Sequence, residues 1–160
     1  MVTERAAELI RKAYWGEVFG AEFFRQLGTA EADPERRLLA AELLEDQTRE
    51  AAAVVAGDLG VELGDGDGEA ESARQAAEIV AALEWREQMA SVVQATVAYR
   101  EVYRQLSEQV PDPEHPSVSA LIDHELAMNA FASAEVDGDP EALSLLVAAL
   151  DADHRARIES

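Results

Sequence analysis

Residues 10–27 read IRKAYWGEVFGAEFFRQL. Steps of three and four through this stretch select Ile10, Ala13, Glu17, Gly20, Phe24 and Leu27, which share one face of an α-helix. Glu17 is the only charge on that face. The same stepping through residues 38–55 selects Leu38, Ala41, Glu45, Thr48, Ala52 and Val55. Through residues 118–132 it selects Val118, Leu121, Glu125, Met128 and Ala132. Each stripe is apolar around one central glutamate. A carboxylate inside a helical core is unfavourable unless it is paired, protonated or bound to a cation.

Working outward from these stripes, the chain divides into helices with recognisable punctuation. The first is predicted from Thr3, a good N-cap, to Leu27, with Gly28 ending it. The second opens at Asp33-Pro34-Glu35 and runs to Ala56. Residues Gly57 to Gly68 hold five of the nine glycines and form a loop long enough to cross from one end of a bundle to the other. Its Asp65-Gly66-Asp67-Gly68-Glu69 string does not continue as a calcium loop, because Ala70 and Ala76 stand where such a loop needs Gly and Glu. A third helix is predicted over Glu69 to Gln109, kinked or broken near Glu84 to Arg86. Its apolar stripe is Ala82, Trp85, Met89, Val92, Thr96, Tyr99, Tyr103 and Leu106. Three prolines, 111, 113 and 116, separate it from a fourth helix over Pro116 to Val136, closed by Gly138. Asp139-Pro140-Glu141 opens a fifth helix reaching Arg157. Residues 1–160 therefore read as one all-α domain: two antiparallel hairpins joined by a long crossover, with an additional C-terminal helix.

Composition narrows the function classes. Thirteen basic residues, of which only Lys12 is lysine, face 33 acidic ones, for a net charge of −20. No basic stripe exists to neutralise phosphates, so nucleic acid is not an expected partner, and an anionic membrane would repel the chain. The absence of cysteine removes disulfides, thiolate metal sites and thiol nucleophiles. No apolar run approaches the length of a membrane span and none resembles a secretion signal, so a cytoplasmic protein is expected. The serines lack the context of an activated nucleophile.

The three stripe glutamates fall at similar heights. Taking Glu31 as the midpoint of the first hairpin, Glu17 and Glu45 lie equally far on either side, roughly 20 Å from the turn at 1.5 Å per residue. Glu125 lies at a comparable distance beyond the second hairpin, where Arg100 and Glu101 are the matching positions. Glu101 is the candidate fourth ligand, although it lies off its helix's apolar stripe. His124 points about 100° away from Glu125 on a helix, so it need not join the same centre: it can donate to a neighbouring carboxylate, ligate from the side, or be an interhelical or surface histidine. His115 and His154 are expected in solvent. Small residues beside the acids (Ala13, Gly20, Ala41 and Ala132) leave room for a ligand or for another helix.

On this topology and glutamate placement, residues 5 to 136 resemble the ferritin-like four-helix bundles. In the di-iron and di-manganese members two helices each give a Glu and two give Glu-x-x-His. Glu17 matches the single Glu. Glu45 and Glu125 match the other glutamates, with Thr48 and Met128 standing where histidines would be. The resemblance implies a centre for iron or manganese with Glu17, Glu45 and Glu125 as ligands, Glu101 and His124 as further candidates, and oxidoreductase chemistry.

The residues also admit other readings. The acids can pair with hydroxyls such as Thr48, Tyr14 or Tyr99, or with a buried arginine, Arg100 being near the right height, in a non-catalytic bundle that holds no metal. A small-ligand carrier is a third. Trp15, Phe19 and Phe23 form a second apolar stripe on the first helix, which predicts contact with the fifth helix or with the partner of a homodimer.

Overall fold

The computed structural model describes residues 2–33, 35–66 and 68–160. Pro34, expected to open the second helix, and Asp67 of the acidic loop string lie outside them. The described residues are helical and include no strand. The elements are α1 (Glu4–Ala30), α2 (Arg37–Asp58), α3 (Glu69–Ala81), α4 (Trp85–Gln109), α5 (Pro116–Asp137), α6 (Ala142–Ala149) and α7 (Ala152–Glu159).

Four of these pack side by side, with α1 against α2 and α4, and α5 against the same two. The pairing order makes each of the four adjacent pairs antiparallel. Arg25 meets Glu42 and Gly20 lies over Glu45. Asn129 Nδ2 donates to Thr96 Oγ1, and Trp85 Nε1 to Glu135. Arg5 reaches Gln105, whereas Gln88 reaches Glu31. Arg37 meets Glu135, whereas Glu45 lies beside His124. The two hairpin links therefore sit at opposite ends, and the chain must travel the length of the fold between α2 and α4.

That crossover is built in two parts. Residues 59–66 run along the first half of α1, pinned by Arg11 Nε donating to the Glu62 carbonyl and Trp15 Nε1 to the Leu63 carbonyl, each at 3.0 Å. The helix α3 then follows the second half, burying Ala73 and Ala77 in the core that holds Phe23 and Phe24. The long third helix expected from sequence is thus two helices. The break falls at Ala82–Glu84, next to the expected position, and Glu84 N–H donates to Glu87 Oε2 at 3.3 Å to start α4. The second aromatic stripe of α1 is covered by the chain's own crossover: Trp15 binds its loop, and Phe19 and Phe23 join the core that includes α3. The expected contact with the C-terminal segment is limited to a shared core, in which Phe23 clusters with Ala142, Leu146 and Leu150.

Helix ends follow local chemistry with some shifts. Gly28 does not end α1, which continues to Ala30; Gly28 sits where Leu38 crosses, a Cβ there falling 3.6 Å from the Leu38 Cβ. Asp33 caps from outside, its Oδ2 accepting from the N–H groups of Leu38 and Leu39. His115 is the N-cap of α5, Nδ1 accepting from Ser117 N–H, with Pro116 next. It is half-buried, 3.3 Å from Asp58. Gly138, at φ 73°, ends α5 in the left-handed conformation that favours glycine. The expected fifth helix is split at Leu150–Asp151 because the Asp151 side chain caps a new start at His154 N–H. His154 is buried, contrary to its expected solvation, with Nδ1 2.8 Å from the same Asp151 oxygen. Among the described residues no helix is long and apolar enough to cross a membrane.

The end of the bundle carrying the first hairpin is tied by Glu135 of α5, which is largely buried. Its Oε2 accepts from Trp85 Nε1 at 2.8 Å, and its Oε1 lies 2.6 Å from Arg37 Nε, off the N–H axis. This one carboxylate joins α2, α4 and α5. Glu135→Ala leaves the Trp85 indole N–H without its acceptor and the half-buried Arg37 guanidinium with Glu35 as its remaining carboxylate. A loss of about 2–4 kcal/mol is expected, read as a fall in Tm of roughly 5–12 °C; an unchanged Tm would show that the tie contributes nothing.

Candidate functional site

The centre of the bundle holds Glu17 of α1, Glu45 of α2 and His124 of α5, with relative exposures of 1%, 8% and 3%. One ligand atom from each lies within 4.8 Å of the others. His124 stands between the carboxylates, Nδ1 3.2 Å from Glu17 Oε2 and Nε2 3.5 Å from Glu45 Oε1. The equal spacing of Glu17 and Glu45 from the first hairpin is what brings them level. Tyr103 of α4 completes the surround, its hydroxyl donating to Glu17 Oε1.

Local sequence makes this packing possible. Gly20 lies against the Glu45 carboxyl group, where a Cβ would fall 2.4 Å from the carboxyl carbon. Gly16 does the same for Tyr99, whose ring carbon would be 2.4 Å from a Cβ. Both glycines lie inside a helix, where glycine is less favourable than alanine by about 1 kcal/mol. They give α1 room for two large polar side chains.

The electrostatics follow from burial and charge together. Burial alone would lower the His124 pKa, but the charges of Glu17 and Glu45 outweigh it and hold the imidazole well above its ordinary value. Burial opposes ionisation of Glu17; His124, Glu45 and Tyr103 overcome that, and its carboxyl falls below the usual range. Burial carries Glu45 well above it, with His124 pulling back and the like charge of Glu17 adding to the rise. Two carboxyls this close share a proton more readily than both ionise. Glu17 as carboxylate, His124 as imidazolium and Glu45 as neutral acid sum to zero charge. Burial also lifts Tyr103 well above its ordinary range, with Glu17 contributing.

The sequence candidates separate clearly. Glu17, Glu45 and His124 are brought together. Glu125 is buried, 5% exposed, and lines the adjoining cavity, but it is not part of the close cluster. A helix inside a ring of four has two neighbours and buries a face wider than one stripe. Consecutive residues 124 and 125 therefore both point inward, toward different helices. Glu101 is not brought to the centre: it faces solvent, with Oε1 2.7 Å from Arg104, which holds its carboxyl at about 2. Thr48 does not bind Glu45, since its hydroxyl donates to the Leu44 carbonyl. Arg86, Arg100 and Arg104 are exposed, so the cation beside the acids is a histidine and no arginine. Tyr103 was not singled out from sequence as a site residue. Its signal was a hydroxyl within the apolar stripe of α4, close to the height matched to Glu125.

Two buried polar atoms at the centre, Glu17 Oε2 and His124 Nδ1, have no hydrogen-bond partner although they lie 3.2 Å apart. Their contact is out of line for a hydrogen bond. Once His124 gives up its proton, these two atoms are free to hold a cation, and a donor set of two carboxylates and one imidazole is of a kind that iron or manganese accepts.

Above the centre lies a cavity of about 240 Å³, lined by residues of α1, α3, α4 and α5 and by Glu45 of α2. Glu17, Glu45, Glu125 and Tyr99 reach it, while most of its wall is apolar. Of the small residues beside the acids, Gly20 lines this cavity, whereas Ala13, Ala41 and Ala132 are fully packed in the core. No family model, curated protein or solved structure matches the chain.

Glu125 makes the electrostatics testable. Burial raises its pKa from 4.5 to about 8, against the pull of His124. Between these values the folded state binds more protons than the unfolded state, so stability falls as pH rises. In chelator-treated protein Tm is expected to drop from pH 5 to pH 8.5, the Glu125 contribution amounting to a few kcal/mol at about 1.4 kcal/mol per unit of separation. Glu125→Gln should flatten this slope; identical slopes would rule out Glu125 as the proton holder.

Proposed function

We propose that the chain is a divergent ferritin-like protein that binds a divalent cation, iron or manganese, through Glu17, Glu45 and His124. The observation that supports this reading is the convergence of the three ligand atoms within 4.8 Å, with Glu17 Oε2 and His124 Nδ1 buried and without a hydrogen-bond partner. The ring of antiparallel helices and the long crossover support the fold assignment. His124 supplies the nitrogen donor that Thr48 and Met128 do not, from the position before Glu125.

Each side chain has a role in this reading. Glu17 and Glu45 provide hard oxygen donors, and His124 provides one borderline nitrogen. Tyr103 fixes the orientation of Glu17 through its second oxygen, as outer-shell donors do for ligating carboxylates. Gly20 lets the Glu45 carboxyl sit against α1. A cation with three protein ligands keeps open positions and supplies Lewis-acid or redox chemistry when bound. Oxidoreductase activity is the reaction class that follows, with Glu125 a proton-holding group beside the centre.

A second reading rests on a different observation: Glu17, His124 and Glu45 neutralise one another. Such a network is self-sufficient in a non-catalytic bundle, acting as an interaction protein alone or as a homodimer. Purification from iron- and manganese-supplemented cells, followed by metal analysis, distinguishes the two. The metal reading expects about one equivalent per chain, lost in Glu17→Gln/Glu45→Gln. Metal-free wild type whose Tm is unchanged by a chelator would leave the second reading standing.

Gly20→Ala gives a sharper check. The added methyl meets the Glu45 carboxyl group while improving helix propensity. Metal affinity is expected to fall roughly tenfold or more, with circular dichroism unchanged. Unaltered affinity would remove Glu45 from the ligand set.

A further inference from the structure

The cavity beside the acidic centre has a direction. Its lower end is at the level of Glu17, where Glu45, Glu125 and Tyr99 also reach it. Along α1 the lining continues through Phe19 to Phe23 and Phe24. Seven residues separate positions 17 and 24, so this wall extends about 10 Å. Val80 of α3, Val92 of α4 and Met128 of α5 close its upper part. The two hydroxyls there are already engaged, Ser91 donating to the Gln88 carbonyl and Thr96 to the Val93 carbonyl. Polar atoms thus gather at one end and apolar surface fills the other, the arrangement of a small-molecule site.

We propose that this cavity is the binding site for a small, uncharged amphipathic molecule whose apolar body lies among Phe23, Phe24, Val80 and Val92 and whose polar head faces Glu17, Glu45 and Glu125. This goes beyond the cation site, since the apolar body needs no metal. Size sets the class. An apolar cavity of about 150 Å³ accepts benzene, so the 240 Å³ here suits a body of about ten non-hydrogen atoms. Charge sets the head: an anion would lose its hydration in a mostly apolar chamber, beside the Glu17 carboxylate and on a chain of net charge −20, while His124, the cation of the centre, does not line the cavity. An uncharged hydroxyl can donate to a carboxylate oxygen without that penalty.

The probes are 4-propylphenol and the anion 4-ethylbenzoate, titrated by calorimetry into full-length protein with and without chelator. Saturable 4-propylphenol binding is expected in both conditions, with 4-ethylbenzoate weaker by roughly tenfold or more. Ala95→Phe, at the exposed mouth on α4, and Val80→Phe, on α3, should each abolish phenol binding with helicity unchanged. Val80→Phe should keep its metal while losing phenol, since Val80 lines the cavity and is not part of the cation cluster, so the cavity and the cation site fail separately. Absence of saturable binding, equal affinity for the two probes, or binding that survives both cavity-filling substitutions in folded protein would overturn the proposal.

Discussion

The constraint on which the rest depends is the burial of two carboxyl groups and an imidazole at one height in an apolar core. An isolated charge there would be strongly destabilising, and removing one partner of a buried set leaves the others uncompensated. Glu17, Glu45 and His124 meet that constraint only as a group, each from a different helix, with the Tyr103 hydroxyl from the fourth. The site therefore fixes the relative heights of α1, α2, α4 and α5. Hydrophobic packing supplies the driving force but is tolerant of sliding; a polar cluster is not.

Space around the cluster is managed by glycine. The glycines at 16 and 20 weaken α1 locally, and each accommodates one large side chain, Tyr99 and Glu45 respectively. The same stretch of α1 borders the cavity, so the ligand-forming acids and the apolar chamber arise from one feature. The crossover matters for the same reason. By lying along α1, α3 covers Phe19 and Phe23 and contributes Val80 to the cavity wall. What a simpler up-and-down bundle would leave exposed becomes an interior surface.

Much of the fold was legible because its signals are local. The proline cluster at 111–116 and Gly138 mark real boundaries, while the Asp-Pro-Glu strings fall a few residues ahead of the helices they announce, α2 beginning at Arg37 and α6 at Ala142. Shifts occurred where a local signal met a tertiary one. Gly28 reads as a helix end, yet Leu38 packing over it keeps α1 helical through Ala30. Asp151 reads as one more residue of a fifth helix, yet its side chain caps a new one. In both cases a single neighbour decides between nearly equal local conformations.

The sequence by itself determined that the protein is helical, that its helices carry lone glutamates in apolar stripes, and that Glu17 and Glu45 are level across the first hairpin. These follow from periodicity and counting, which need only the geometry of the helix. Tertiary structure alone decided that His124, not Glu125, stands between them, that Glu101 turns to solvent toward Arg104, and that Tyr103 binds Glu17. The physical reason is rotation. Adjacent residues on a helix differ by 100° about its axis, and only packing against two neighbours at once selects which of them faces the centre.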